Sequence, residues 1–355
     1  MAYVASNLKA MNRKLVFAAL RAHDEISRTE ISRETGISAP TVMKIVQYLE
    51  TRGYVQTAGA AHTEVGRKPQ MLRFNRRAGF VMGVEYTGDE LRLGLVDFGE
   101  NLVRLLRVPA SANLVHAVGR ELPDRIDRLI AESGWPADRL LGIGVGLPGR
   151  VDPKDRTIDM APLEGITRRT GLEEIVDGLS RRFGVPVVVE NDANAAAVGE
   201  FRFRGLTEDD DLLYIMLGKG VGSGIIFDGR VRRGPRSLAG EIGYMVFDRD
   251  FISDRQKPGW LEQSLTGRPA DWGAAADSMA LAAANLCVPL EIRHVVLRLA
   301  DPAWPRQELL DRVRRCLERV AVWPLDCRLS ECPEPVLTGC AHMVMEPAVR
   351  RILEA

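Results

Sequence analysis

Residues 187 to 203, VVVENDANAAAVGEFRF, restrict what this 355-residue chain can fold into more than any other stretch. The β-branched run Val187 to Val189, bounded by Pro186, has the pattern of a buried strand, and the Ala-rich sequence behind it is helical. A strand that runs straight into a helix belongs to an α/β fold. Asn191, Asp192 and Asn194 stand at the junction, and open α/β sheets hold their ligands beyond the carboxyl ends of their strands. Two readings stand side by side there: the polar groups contact a small molecule, or they cap the helix by accepting backbone N–H groups.

A chain of this length suits two or three domains. With 46% apolar and 27% charged residues it has the composition of a globular protein and falls outside the disordered classes. No apolar run approaches the roughly 20 residues of a membrane span. The apolar patch Leu15 to Leu20 lacks the cleavage site of a signal peptide. Five cysteines, Cys287, Cys316, Cys327, Cys332 and Cys340, include no CxxC pair, so a reduced, cytoplasmic protein is expected. The zero net charge conceals an asymmetry. Residues 1 to 80 carry 13 Lys and Arg against 6 acids, and the remainder is acidic by the same margin. A polyanion partner is expected for the basic end alone.

That end reads as three helices, roughly 12 to 23, 27 to 34 and 38 to 50. Ser27 with Glu30 forms a capping box, and Gly36 ends the second helix in a tight turn. On the third, Val42, Ile45, Val46 and Leu49 fall at helical spacing and face inward. Pro40, Thr41, Lys44, Gln47 and Tyr48 are thereby turned outward. Helix, turn, helix with a polar outer face is the arrangement whose second helix enters the DNA major groove, with Ser38, Pro40, Thr41, Lys44 and Gln47 placed to meet it. Gly53 to Gln56 and Gln70 to Phe74 read as the strands of a wing, whose loop offers Arg67 and Lys68 to phosphates or a minor groove. A three-helix protein-interaction module is the competing reading. The stretch EISRTEISRETGISAPTVMKIVQYLETRGYV with GRKPQMLRFN resembles the winged helix of repressors in the ROK family, in which such a head precedes a sugar-kinase-like body.

Beyond residue 79, strands at Phe80 to Glu85, Leu91 to Val96, Leu102 to Val108 and Leu141 to Val145 surround an amphipathic helix that Pro123 should kink or split. A second strand-rich block, Asp211 to Leu217, Gly224 to Phe227 and Val231 to Arg233, repeats the plan. The blocks GIGVGLPGRVD, PVVVENDANAAAVGE, LGKGVGSGIIFDGRVRRG and AGEIGYM are similar to those of the ROK family. The resemblance implies an α/β chain: a winged helix-turn-helix over residues 1–78, then a two-lobed actin- or sugar-kinase-like (ribonuclease H-like) body over 79–355. Lobe one would take about 79–193 plus the C-terminal helix, and lobe two about 194–340. In family kinases the Asp of the END block is the general base toward a sugar hydroxyl. Carried across, the resemblance makes Asp192 a vestigial base and Asn191, Asp192, Glu241, Tyr244 and Glu262 the ligand contacts, Tyr244 standing where a His is usual.

The nucleotide grip departs from that pattern. Glu85-Tyr86-Thr87-Gly88-Asp89 replaces a DxGGTK-like phosphate loop, and Lys219 replaces a Thr in the second loop, whose remnant is Gly220, Gly222 and Gly224. Arg298 and Leu299 occupy the place of paired adenosine-site glycines, two side chains bulky enough to fill the space of the base. The cysteine cluster of zinc-binding relatives is missing from DRDFISDRQKPGW. No metal or cofactor is therefore expected, and no catalysis. The expected protein is a cytoplasmic DNA-binding regulator, a repressor acting as a homodimer or larger on an operator. A sugar or sugar derivative would release it by shifting the population toward a head spacing that fits the operator poorly. Two alternatives stay open: an ATP-dependent sugar kinase carrying a DNA-binding head, and a ligand-independent DNA-binding dimer with a vestigial cleft.

Overall fold

Helix α1 (Ala2–Ala22) begins ten residues before the expected start. The structure, a computed structural model, describes residues 2–60, 70–161, 164–252, 257–266, 272–301 and 304–354. A two-residue strand β1 (Ile26–Ser27) leads into α2 (Arg28–Thr35), where Ser27 and Glu30 close both bonds of the capping box. Gly36 follows at φ 69°, the left-handed conformation that releases the chain into the turn. Helix α3 (Ala39–Thr51) buries Val42, Ile45, Val46 and Leu49. Strands β2 (Val55–Ala60) and β3 (Gln70–Phe74) form an antiparallel hairpin with β1 on the far side of β3. Arg67 and Lys68 lie outside the described residues.

Tyr48 does not face outward as the helical spacing suggests. Its hydroxyl donates to the Ile352 carbonyl at 2.6 Å, and its ring lies between the guanidinium groups of Arg13 and Arg52, each 3.8 Å from the centroid. Helical period places a residue on a face; it does not say that another element covers that face.

The chain then passes through one 3-10 turn, Arg76–Ala78, into a five-stranded sheet. Its strands are β4 (Phe80–Tyr86), β5 (Glu90–Asp97), β6 (Leu102–Pro109), β7 (Leu140–Leu147) and, after two small strands β8 (Arg150–Asp152) and β9 (Thr157–Asp159) with β10 (Thr170–Gly171) beside them, β11 (Val187–Asn191). The order is β11-β7-β4-β5-β6: β4 to β6 form an antiparallel meander, and β7 and β11 add in parallel. Helix α4 (Leu114–His116) and α5 (Leu122–Ser133) are separated by a π-helical turn, Ala117–Glu121, in which Leu122 N–H reaches back to the Ala117 carbonyl. That break stands directly before Pro123, as expected of a residue that cannot continue the ladder. Helix α6 (Glu173–Phe183) packs against β11.

Helix α7 (Asp192–Phe203) crosses to a second sheet of the same plan: β12 (Leu212–Leu217), β13 (Val221–Phe227) and β14 (Arg230–Val231) antiparallel, with β15 (His294–Leu299) and β16 (Asp326–Leu329) parallel. Helices α8 (Trp260–Leu265), α9 (Trp272–Leu290) and α10 (Arg306–Val320) build its core. Contrary to the expectation that no apolar run reaches membrane-spanning length, α9, 19 residues long, is by length and composition apolar enough to cross a membrane. Its Ala275, Ala276, Met279, Ala280, Ala283 and Cys287 are buried in the second core, which explains the apolarity.

The last helix, α11 (Pro335–Glu354), lies against β4, β5, β7 and α7. A methyl group on Gly339 would strike the Ala195 carbonyl of α7, so the two helices meet backbone to backbone. At its far end α11 enters the core of the winged helix. Val16, Phe17, Leu20, Leu72 and Phe74 share one apolar cluster with Val81, Val96 and Phe98 of the first sheet and with Val344, Met345 and Leu353. Phe98 is the centre of an aromatic group, 5.6 Å from Phe17, 5.3 Å from Tyr54 and 5.4 Å from Phe74.

Candidate functional site

Register brings the chemistry together at one sheet edge. Asn191 is paired with Leu147 and Glu85 with Gly146, so the carboxyl ends of β4, β7 and β11 open side by side. Asn191 caps α7: its Oδ1 accepts the Asn194 N–H at 2.9 Å. Its amide nitrogen donates to the Gly149 carbonyl at 2.9 Å and to Asp192 Oδ1 at 3.0 Å. The capping role is thus filled, and a ligand would meet an amide already oriented by the β7–β8 loop.

Asp192 opens the helix and accepts the Ala193 N–H at 2.8 Å. Burial pushes its carboxyl up to about 7, with the neighbouring Glu85 and Glu164 adding to the rise against the pull of that N–H. Glu85 is itself raised by burial against the opposing pull of Arg92 and Arg298, and Glu164 is raised by burial. The junction is a concentration of carboxyl groups, a poor host for phosphate and a good one for hydroxyl donors.

The second lobe contributes Glu241, Tyr244 and Glu262, and these three belong to one cluster. Glu241 precedes the 3-10 turn Ile242–Tyr244. Its carboxyl is raised by burial and by Glu262, and held back by Arg150, the first residue of β8. The Tyr244 phenol is raised by burial, then by Glu241 and Glu262. Arg150 pairs with Asp159 and is the link from this cluster to the loop held by Asn191.

Around the β12–β13 turn, read as a phosphate-loop remnant, the protein's own charges are in place. Glu262 Oε1 accepts the Val221 N–H at 3.3 Å, occupying the first backbone donor of β13 beside the β12–β13 turn. Lys219, on the same turn, crosses to the first sheet and donates to the Thr87 carbonyl at 3.1 Å and Asp89 at 3.4 Å. Of the glycines read as a phosphate-loop remnant, Gly220 lies in the turn, while Gly222 and Gly224 lie within β13 against Ala193, Asn194 and Ala197 of α7. Close helix–strand packing accounts for those two. Leu299 does not enter the cleft as the sequence suggested: β15 runs on through it and buries it in the second core. Arg298, on the opposite side of the strand, reaches the Cys332 carbonyl at 3.5 Å.

Two residues that sequence reasoning missed complete the junction. Glu190 is 1% exposed, and its carboxylate pairs with Arg233 of the second lobe. The available signal was an acid inside a buried β-branched strand, which requires a partner. At the other end of the molecule, Ser38, Pro40, Lys44 and Gln47 are exposed along one face of α3, and Thr41 is half-buried beneath them. Ser38 Oγ and Thr41 Oγ1 lie 3.0 Å apart, an exchange between the two hydroxyls in place of a cap on the helix backbone.

A match to the ROK family covers residues 81–269, just over half of the chain, and one to the MarR family covers 7–64. A putative xylose repressor of Caldicellulosiruptor sp. (strain Rt8B.4) is 30% identical over 74% of this chain. The matched stretch spans 65% of that relative's length. A glucokinase of Streptomyces coelicolor is 32% identical over 54% of this chain and 57% of its own. Among solved structures, a ROK family transcriptional regulator homologous to the Escherichia coli MLC protein shares the fold with a TM-score of 0.76, at 17% identity and 98% coverage of both chains.

Proposed function

The chain belongs to the ROK family, and from that premise we propose that it is a DNA-binding transcriptional repressor whose kinase-like body binds a sugar without phosphorylating it. The observation that carries the reading is the exposed face of α3 on a winged helix that shares its apolar core with the body. Residues 1–78 are the DNA-binding unit, with Ser38, Pro40, Thr41, Lys44 and Gln47 toward the major groove and Arg67 and Lys68 toward the backbone. Residues 79–355 are the effector unit, with Asn191, Asp192, Glu241, Tyr244 and Glu262 around the sugar. Lys219 of the β12–β13 turn and Glu262 of α8, which accepts the Val221 N–H, support the non-catalytic assignment, since phosphoryl transfer depends on an open electrostatic cradle. The protein acts in the cytoplasm as a homodimer or larger, matching the two half-sites of an operator.

The pentose named for the repressor relatives and the hexose of the kinase relatives define the first ligands to test. A thermal-shift titration with xylose and glucose, repeated on Asp192→Asn, should show a rise in midpoint that the variant loses. Mobility shifts on fragments of the gene's own upstream region should show binding that the same sugar weakens. A second reading, a sugar kinase carrying a DNA-binding head, is favoured by Asp192, whose carboxyl near 7 suits a general base. Any Asp192-dependent sugar phosphate formed from ATP would establish that reading and remove the repressor-only one. No stabilisation by any sugar, with DNA binding intact, would mark the cleft as vestigial.

A further inference from the structure

We propose that Glu190 and Arg233 are the positioning pair that registers the two lobes' contributions to the effector cleft, an inference that rests on the sugar-binding reading above. Glu190 lies in β11 immediately before Asn191 and is buried. Its Oε1 accepts the Asn191 N–H at 3.0 Å and the Asn194 side-chain amide at 3.1 Å. Its Oε2 accepts Nε of Arg233 at 2.7 Å and Nη2 at 2.5 Å. One carboxylate thus takes two donors from the junction that carries the ligand-facing Asn191 and Asp192, and two from the other lobe.

Arg233 serves the second half of the site with its backbone. Its carbonyl accepts the Ala239 N–H at 3.0 Å and closes the loop that delivers Gly240 and Glu241. Gly240 is fixed in turn by Ser223, whose hydroxyl donates to its carbonyl. A single arginine therefore holds Asn191 and Asp192 through Glu190 on one side, and Glu241 through its own loop on the other.

Asn194 carries the mark of this constraint. Among the described residues, its Oδ1 is the one buried side-chain oxygen or nitrogen without a hydrogen-bond partner. Turning the amide over would pair that oxygen with Glu190 Oε1, acceptor against acceptor. Glu190 imposes the orientation and leaves Oδ1 unpaired, a cost that native interiors rarely carry without a reason.

The test uses the full chain with Arg233→Ala, Arg233→Lys and Glu190→Gln, each at a temperature where circular dichroism reports it folded. Hydrogen exchange is measured without ligand, and xylose and glucose affinities are measured by titration. Arg233→Ala should raise exchange at least threefold in both 187–194 and 234–241. It should weaken the sugar that the wild type binds by about tenfold. Arg233→Lys restores the charge without the two-nitrogen fork and should recover part of both effects. Exchange that rises only near 230–236, or an unchanged affinity in folded Arg233→Ala, would overturn the proposal. If the wild type takes neither sugar, the sugar-binding reading fails and the exchange result alone decides for or against the pairing of the two segments.

Discussion

The Asp192 carboxyl ties the β11–α7 junction to pH. Its ordinary value is 3.8, and in the folded chain it stands at about 7, so between those limits the native state holds a proton that the unfolded chain releases. Stability contributed at this position is therefore highest below the lower value and falls as pH rises through the window, levelling off above 7. Asp192→Asn keeps an oxygen for the Ala193 N–H and removes the titration. The variant should gain on the wild type by about 1–3 kcal/mol between pH 5 and pH 8, read from denaturant midpoints at both. An unchanged difference would mean that the carboxyl is ordinary. A sugar hydroxyl that donates to the ionised group must displace that proton, so wild-type affinity should fall as pH drops below 7. At this scale the sequence was half legible. The END triplet announced Asn191 and Asp192, and of the two readings there the helix cap is the one seen in the fold. Glu190 escaped because its partner Arg233 is 43 residues away, just after β14 in the other lobe, and no local pattern pairs them.

Helices and strands were legible wherever a period stood out. The capping box at Ser27, the buried stripe of α3 and the break before Pro123 all follow from local chemistry. No local pattern says what α11 touches, since its contacts are with β4, β7 and α7, far away in the chain; only the family resemblance led to the expectation that the C-terminal helix belongs with lobe one. Its seating makes a sharp prediction. Gly339→Ala places a methyl group into the Ala195 carbonyl with backbone on both sides and no side chain to give way. A loss of about 1–3 kcal/mol is expected in chemical denaturation, the usual cost of overpacking; no shift in the midpoint would mean that α7 and α11 slide apart freely. On α3, Lys44 is exposed beside Pro40 and Gln47 and has no structural partner to lose among the described residues. Lys44→Ala should leave stability unchanged and weaken operator binding in mobility shifts across a salt series. Relaxed sequence preference would identify a base contact, and a salt slope reduced by about 1 a phosphate contact.

For the whole molecule, the decisive feature is that the winged helix and the body are not beads on a linker. Between β3 and β4 the chain makes a single 3-10 turn, and Phe98 of the β5–β6 turn sits among Phe17, Tyr54 and Phe74. The last carbonyls of α11, which no helix can satisfy by itself, accept donors from the winged helix: Leu353 from Arg13 at 2.6 Å and Ile352 from Tyr48. The same α11 is packed along α7, whose first turn bears Asp192. On the proposed reading, a change at the Asn191–Asp192 junction reaches the winged helix through α7 packed on α11 and the donors that hold the end of α11, and the winged helix should move with the first lobe as a rigid piece. Phe98→Ala tests this without touching either proposed binding face. Removing the ring from a buried aromatic group costs about 3–5 kcal/mol, and here the loss falls on the seam. The wild type should melt in one transition; the variant should melt in two, with the winged helix first. At temperatures below both, the variant should still bind operator DNA, but the sugar that releases the wild type should no longer release it. Release that survived an uncoupled seam would mean that the signal travels from one protomer to the other instead of along α11.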